Sequence, residues 1–331
     1  MLIPVDEAVA RLSKGDIVAL PSETVYGLAG LALNEDAVRK IFALKGRPGT
    51  NPLIVHVANL KQAERLCEFH EIAKNAAESF WPGPLTLVLP KKKIVPDLVT
   101  AGNQTVAIRI PKHPFFLEIL NKLGQPLAAP SANPSNRTSP TEAKHIQELF
   151  GENSPPIVDG GKSKVGLEST VLDLSGKKPT ILRPGMVTRA EMESKLGTQV
   201  LLKNELKIGN EGKETANRSQ PSPGMHPVHY APKTPLILKD CFDEILKENI
   251  NSESDLIICM NSKEEKILSG CGFSTLKLSD DNDPITIGKN LYHVMQIADT
   301  MKKNNIYIHK MIDSSDLSKA INDRLSKASS E

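Results

Sequence analysis

The sequence predicts an α/β protein in two parts, a first domain on a mixed parallel and antiparallel sheet and then a small doubly wound domain. Three observations carry this. The chain has 331 residues, more than one small domain needs. Short runs rich in β-branched residues are interspersed with helical periods, yet after residue 155 several such runs succeed one another with no helix between them. From residue 235 onward short strands and helices alternate, as in a doubly wound sheet. The expected divisions are 1–203 for the first domain, 204–234 for a linker, and 235–331 for the second domain.

The elements come in this order. "EAVARLSKG" has helical periodicity and stops at Gly15, and "DIVALP" reads as a buried strand. "NEDAVRKIFALKGR" is a helix with Asn34 as N-cap and Val38, Ile41 and Leu44 on one face. "PLIVHV", "LTLVLP", "TVAIRIP", "PPIVDGG", "STVLDL" and "PTILRPG" are strands. "HPFFLEILNKLG" and "TEAKHIQELFG" are helices with glycine stops; the second has Ser139 as cap and Pro140 at its first position. In the second domain "TPLILKD", "DLIICM", "STLKLSD" and "NIYIHKM" are strands, and "DLSKAINDRLSKA" is the last helix.

Composition narrows the function classes. A hydrophobic fraction of 39% and a charged fraction of 24% suit a soluble globular chain, and aromatics at 4% leave the core to aliphatic residues. A net charge of +2 gives no electrostatic case for a nucleic-acid partner. No apolar run approaches a membrane span, the N-terminus lacks a signal-peptide pattern, and the cytoplasm is the default compartment. Cys67, Cys241, Cys259 and Cys271 are widely spaced, with no CxxC, so neither structural zinc nor a disulfide framework is expected.

Four stretches concentrate functional residue types. "PSETVYGLAG" joins the hydroxyls of Ser22, Thr24 and Tyr26 to glycines, and equally fits a plain strand-to-turn transition. "LKGRPGTNPLIVHV" places Lys45 and Arg47 at a stiff turn, where two cations and free backbone N–H groups can meet phosphates. Cations at a helix C-terminus are also favourable without any ligand. Asn51 and His56 flank the next strand. "APSANPSNRTSPTEA" supplies neutral hydrogen-bonding groups suited to phosphate or ribose. "VDGGKSKVGLESTVLDL" and "ILRPG" bring Ser169 and Arg183 beside strands, and Arg109 ends the strand in "AIRIP". An arginine at a strand end can clamp carboxylate or phosphate, and is also a common surface residue. No GxSxG, HExxH, P-loop or Cys–His pairing is present. The residues alone reach as far as a phosphorylated ligand handled by positioning and electrostatics.

The ordered set "PSETVYGL", "KGRPGTNPL", "WPGPLTLVL", "AIRIPKHP", "PSANPSNRTSPT", "GLESTVLDL" and "ILRPG" resembles the threonylcarbamoyl-AMP synthases of YrdC-type fold. "SPGM…HYAPKTPL" and the small α/β domain after it resemble the long, two-domain branch of that family. The resemblance implies a twisted mixed sheet with a large concave cavity, followed by a Rossmann-like domain. It implies that L-threonine, bicarbonate and ATP form threonylcarbamoyl-adenylate and pyrophosphate, with Mg²⁺ carried by the nucleotide. A downstream threonylcarbamoyl-transferase complex would then modify tRNAs that read codons beginning with A. Lys45 and Arg47 would act catalytically on the phosphates. Arg47, Asn51, Thr105, Ser131, Asn133, Ser139, Arg183 and Tyr230 match ATP-binding positions. Thr24, His56, Arg109, Ala129 and Ser169 match the L-threonine pocket, with Arg109 on the carboxylate.

Ser22 stands where the family has Thr, Asn136 where Gly is usual, and Pro227 where an aromatic residue is common. A double-stranded RNA or tRNA-binding module of the same fold is the alternative function. A carbamoyl-transfer maturation enzyme would need CxxC fingers, which are missing. "PSPGMHPVHYAP", residues 221–232, is too rich in His, Met and Tyr for a plain tether. His226 and His229 alone make a poor metal site. The resemblance implies instead a lid across the cavity, with Tyr230 on the nucleotide.

Overall fold

The computed structural model describes residues 1–206 and 229–329. In the first part the elements run α1 (Val5–Ser13), β1 (Val18–Leu20), β2 (Gly27–Leu31), α2 (Glu35–Lys45), β3 (Ile54–His56), α3 (Leu60–Glu64), α4 (Glu71–Phe80), β4 (Leu85–Pro90), α5 (Asp97–Thr100), β5 (Thr105–Arg109), α6 (Pro114–Leu123), β6 (Leu127–Ala128), α7 (Ala143–Phe150), β7 (Thr170–Asp173), β8 (Thr180–Arg183), α8 (Arg189–Leu196) and β9 (Leu201–Leu202). They build a nine-stranded sheet in the order β1-β2-β6-β3-β5-β4-β7-β8-β9. It is mixed, as expected: β3 runs parallel to β5 and β4 to β7, whereas β4 and β5 are antiparallel. Asn34 caps α2, its side chain accepting from the N–H groups of Asp36 and Ala37.

Three local expectations fail for physical reasons. "PPIVDGG" forms no strand; Ile157 makes only single bridges, to Leu2 and Ala19. Ser139 does not cap α7. The helix starts later, after Glu142, because the Ser139 hydroxyl is taken by Glu168 at 2.6 Å. "GLAGL" is a full strand, β2, despite its glycines. There a Cβ on Gly27 would meet Ala129 at 3.2 Å, so the glycine serves close strand packing.

The second part comprises β10 (Leu236–Lys239), α9 (Phe242–Lys247), β11 (Leu256–Cys259), α10 (Ser262–Gly270), β12 (Ser274–Lys277), α11 (Pro284–Thr300), β13 (Ile306–His309) and α12 (Asp316–Ala328). Its four strands are all parallel, in the order β10-β13-β11-β12. Helix α11 starts cleanly, with the Asp283 side chain as cap and Pro284 at the first turn.

The two sheets do not hang apart. Val25 and Leu167 join one buried cluster with Leu291 and Met295 of α11 and Ile321 and Leu325 of α12. Gly166, at φ +78°, lets the chain pass α11 so closely that a Cβ would lie 2.4 Å from the Lys289 carbonyl oxygen. No helix among the described residues is long and apolar enough to cross a membrane.

Candidate active site

One cavity gathers most of the candidate functional residues. Its walls include Thr24, Arg47, His56, Arg109, Ala129, Ser131, Ser169, Arg183 and Tyr230. Sheet register explains part of this. His56 and Arg109 are direct partners at the ends of parallel strands β3 and β5, so their side chains leave the same face. Arg183 ends β8 opposite Val171, one residue beyond Thr170 and close to Ser169.

The cationic wall is braced from behind. Gly46, left-handed at φ 59°, ends α2 and turns the chain so that Lys45 and Arg47 are both buried. Lys45 Nζ donates to the carbonyls of Ser131 (2.6 Å) and Asn133 (2.5 Å), tying the serine-rich loop to the helix end. Burial, and then Arg47, holds its ammonium well below the usual lysine range. Arg47 donates to Asn51 Oδ1 (2.6 Å) and to the carbonyls of Asn51 (3.1 Å) and Pro52 (2.8 Å). Arg183 is fixed on Ser169 through its backbone oxygen (3.0 Å) and hydroxyl (3.1 Å). Guanidinium groups held this way need no reorganisation to meet an anion.

Asn51 and Asn133 thus shape the wall. Asn133 donates to the carbonyls of Pro134 (2.8 Å) and Arg137 (2.7 Å), leaving its buried Oδ1 without a partner among the described residues. Asn136 takes φ 67°, a left-handed conformation that Asn tolerates better than other residues with a Cβ. Lys45, Asn51, Thr105, Asn133 and Ser139 do not line the cavity. Thr105 opens β5 while Arg109 closes it, at opposite ends of the strand.

Around Arg109 the arrangement is tighter than the sequence suggests. Its guanidinium donates to the Gly83 carbonyl (3.0 Å), Thr24 Oγ1 (3.1 Å) and Glu23 Oε1 (2.5 Å). Glu23 keeps Oε2 buried and unpartnered among the described residues. His56 stacks on Phe116 at 5.1 Å, and burial next to Arg109 lowers its pKa to about 3, so the ring is neutral. Ser22 bonds Thr24 through their hydroxyls at 2.8 Å.

His229 and Tyr230 close the cavity. Their rings lie 3.9 Å apart, and Tyr230 stacks on Tyr292 at 5.6 Å. The Tyr230 carbonyl accepts from Thr138 Oγ1 at 3.2 Å, while Ala231 exchanges backbone bonds with Asn136 and Thr138. Burial, with Arg47, Lys45 and Arg183 nearby, presses the His229 pKa well down. A neutral ring therefore covers the cations. The free space left is about 50 Å³, below the ~300 Å³ of a small ligand pocket. The remainder of the 221–232 segment, with Pro227 and His226, lies outside the described residues.

Glu168 and His229 line the cavity without having been singled out for it, and Glu23 supports it from behind through Arg109. Glu168 sits inside "GLESTV", and a carboxylate leading straight into a buried strand is the signal that could have found it.

The "Telomere recombination" family model matches residues 10–185, and the "Threonylcarbamoyl-AMP synthase, C-terminal domain" model matches residues 187–330. The chain is 36% identical to the threonylcarbamoyl-AMP synthase of Pyrococcus abyssi, over 97% of this chain and 93% of that protein. It belongs to the threonylcarbamoyl-AMP synthase family. The synthase of Bacillus subtilis is 44% identical over 70% of this chain and 65% of its own length. A solved structure of Pyrococcus abyssi Sua5 complexed with L-threonine superposes with a TM-score of 0.85 at 36% identity, covering 98% of this chain and 94% of that one. The family thus accounts for both sheets.

Proposed function

We propose that this chain joins L-threonine, bicarbonate and ATP into threonylcarbamoyl-AMP, releasing pyrophosphate. The observation that carries it is the convergence of Arg47, Arg109 and Arg183 with the hydroxyls of Thr24, Ser131 and Ser169 in one closed cavity. Arg47 and Arg183 face the phosphates, with Lys45 and Asn133 shaping the loop that receives them. Asn51 and Ser139 serve the nucleotide side from behind the wall, Asn51 by holding Arg47 and Ser139 by holding Glu168, and Thr105 stays outside the cavity. Thr24, His56, Arg109, Ala129 and Ser169 form the threonine side. The threonine amine condenses with bicarbonate, losing water, to a carbamate whose oxygen attacks the α-phosphate and displaces pyrophosphate; guanidinium charge stabilises the leaving pyrophosphate.

Magnesium does not fit as a resident ion. Glu23 is held by Arg109, and Glu168 by Ser139, Tyr292 and Arg324, so the wall offers it no free carboxylate pair among the described residues. It belongs to the nucleotide. The expected lid is carried here by His229 and Tyr230, with Tyr230 against the nucleotide; residues 207–228 of the 204–234 segment lie outside the described residues. The product passes to a transferase complex acting on tRNA, which places the reaction in the cytoplasm. Double-stranded RNA gains little from this site, since Arg47, Arg109 and Arg183 are 9%, 3% and 4% exposed and out of reach of a duplex.

The test is pyrophosphate release measured with each substrate omitted in turn. Release requiring ATP, threonine and bicarbonate together supports the assignment; release indifferent to threonine defeats it.

A further inference from the structure

Away from the cavity, a second cluster joins the two sheets. We propose that Glu142, His145 and His293 bind a divalent transition metal of the zinc type at the seam between α7 and α11. Glu142 precedes α7 and His145 comes three residues later, so both look the same way. His293 comes from α11. One ligand atom from each lies within 4.8 Å of the others.

The contact between His293 and Glu142 is close without the geometry of a hydrogen bond. His293 Nδ1 stands 3.0 Å from Glu142 Oε1, yet it is buried and makes no hydrogen bond among the described residues. Two donors ~2.0–2.1 Å from one tetrahedral zinc stand roughly 3.3 Å apart. His145 is 1% exposed, with Nδ1 beside the Thr141 N–H (3.3 Å) and Thr141 Oγ1 (3.5 Å). Here Nδ1 accepts from the Thr141 N–H, which leaves the ring proton on Nε2; coordination through Nε2 therefore moves that proton to Nδ1, towards Thr141 Oγ1, and gives up the Thr141 N–H bond, which weakens the site.

Protonation suits the ion. Burial lowers His145 to about 4 and lowers His293 too, so both rings present lone pairs at neutral pH. Glu142 lies below the usual carboxylate range, its burial opposed by the hydrogen bond and charge of Lys144. Two imidazoles and a carboxylate form a zinc set with an open fourth position. Lys144 Nζ, 3.0 Å from Glu142 Oε2, and the neighbouring Lys162 and Lys289 oppose a cation, so binding is weaker than at a four-ligand structural site. An ion here would clamp α7, which comes after the serine-rich loop of the cavity, to the second sheet.

The test uses metal-free, tag-free full chain without nucleotide. Co²⁺ is titrated as a spectroscopic stand-in, and Zn²⁺ by competition with a chromophoric chelator. One ion per chain, a low-symmetry cobalt spectrum and a rise in melting temperature with Zn²⁺ are expected. His293→Ala and Glu142→Gln should each weaken binding roughly tenfold or more; both side chains are partly exposed, so these variants fold even if His145→Gln does not. Equal binding by wild type and His293→Ala overturns the proposal. So does a strong thiolate charge-transfer band, which would put cobalt on a cysteine. His293 is outside the cavity, so His293→Ala should keep substrate-dependent pyrophosphate release, and loss of the metal site leaves the synthase reading standing.

Discussion

Arg324 Nε meets Glu168 Oε2 at 3.3 Å, with the arginine side chain 0% exposed. The Glu168 carboxylate also accepts from Ser139 Oγ (2.6 Å) and the Tyr292 hydroxyl (2.9 Å). The same guanidinium donates to the Pro184 carbonyl (2.8 Å) and lies 5.5 Å from the centre of the Tyr230 ring. Helices α11 and α12 therefore supply part of the outer layer of the cavity wall. The second sheet is built into the site rather than appended to it.

Breaking that pair should be costly. Arg324→Met leaves Glu168 buried without its charge partner, and removing one member of a buried pair costs about 3–5 kcal/mol. Glu168→Gln in the same chain removes the orphaned charge and should recover part of the loss. Urea unfolding of the two single variants and the double variant measures the coupling. Strictly additive losses would show that the contact carries no energy.

Arg47 and Lys45 should separate in kinetics. Arg47 lines the cavity, so Arg47→Ala removes charge from the developing pyrophosphate and should cut kcat by about 10²–10³, with an unchanged circular-dichroism spectrum. Lys45 acts through the loop carbonyls of Ser131 and Asn133, so Lys45→Ala should raise KM for ATP more than it lowers kcat. Steady-state pyrophosphate assays distinguish the two. Substantial turnover in Arg47→Ala would remove that residue from the chemistry.

His56 predicts an acid-sensitive fold. Its pKa falls from an ordinary 6.5 to about 3 through burial and Arg109. Below pH 6.5 the unfolded chain takes up a proton that the native ring refuses, so stability falls as pH drops from 6.5 towards 3. Between pH 6.5 and 5 that amounts to about 2 kcal/mol from this one ring. His56→Gln should lose that part of the pH slope, measured as urea unfolding free energies at pH 7 and pH 5. An unaltered slope would mean that the ring is protonated in the native state.

The legible parts of the sequence are those where local chemistry sets structure. Asn34 capping α2, the β-branched runs of β4 and β5, and the strand–helix alternation after residue 235 need no tertiary information. Ser139 looks like a helix cap in sequence because its partner, Glu168, is 29 residues away, and local rules weigh only nearby acceptors. The strand β2 is hidden by its glycines, Gly27 packing close on Ala129 and Gly30 on Ile41 and Ile17. The ordered motifs point to most of the wall, but Arg324 and Tyr292 belong to helices that carry no motif. Their roles arise only when α11 and α12 dock on the 166–168 turn.

Tyr230 gives the last test. Its backbone is left-handed at φ 69°, and its ring is held between Tyr292 and Arg324. With His229 it leaves too little room for a nucleotide, so substrate entry requires the pair to move out and their return to close the site over the product. A closed site keeps water from a mixed anhydride. Tyr230→Ala should therefore still release pyrophosphate but accumulate less threonylcarbamoyl-AMP per pyrophosphate, because the intermediate is hydrolysed as it forms. Parallel measurement of pyrophosphate and adenylate by chromatography reads that ratio directly. A ratio equal to wild type would mean that Tyr230 packs between the two sheets without guarding the product.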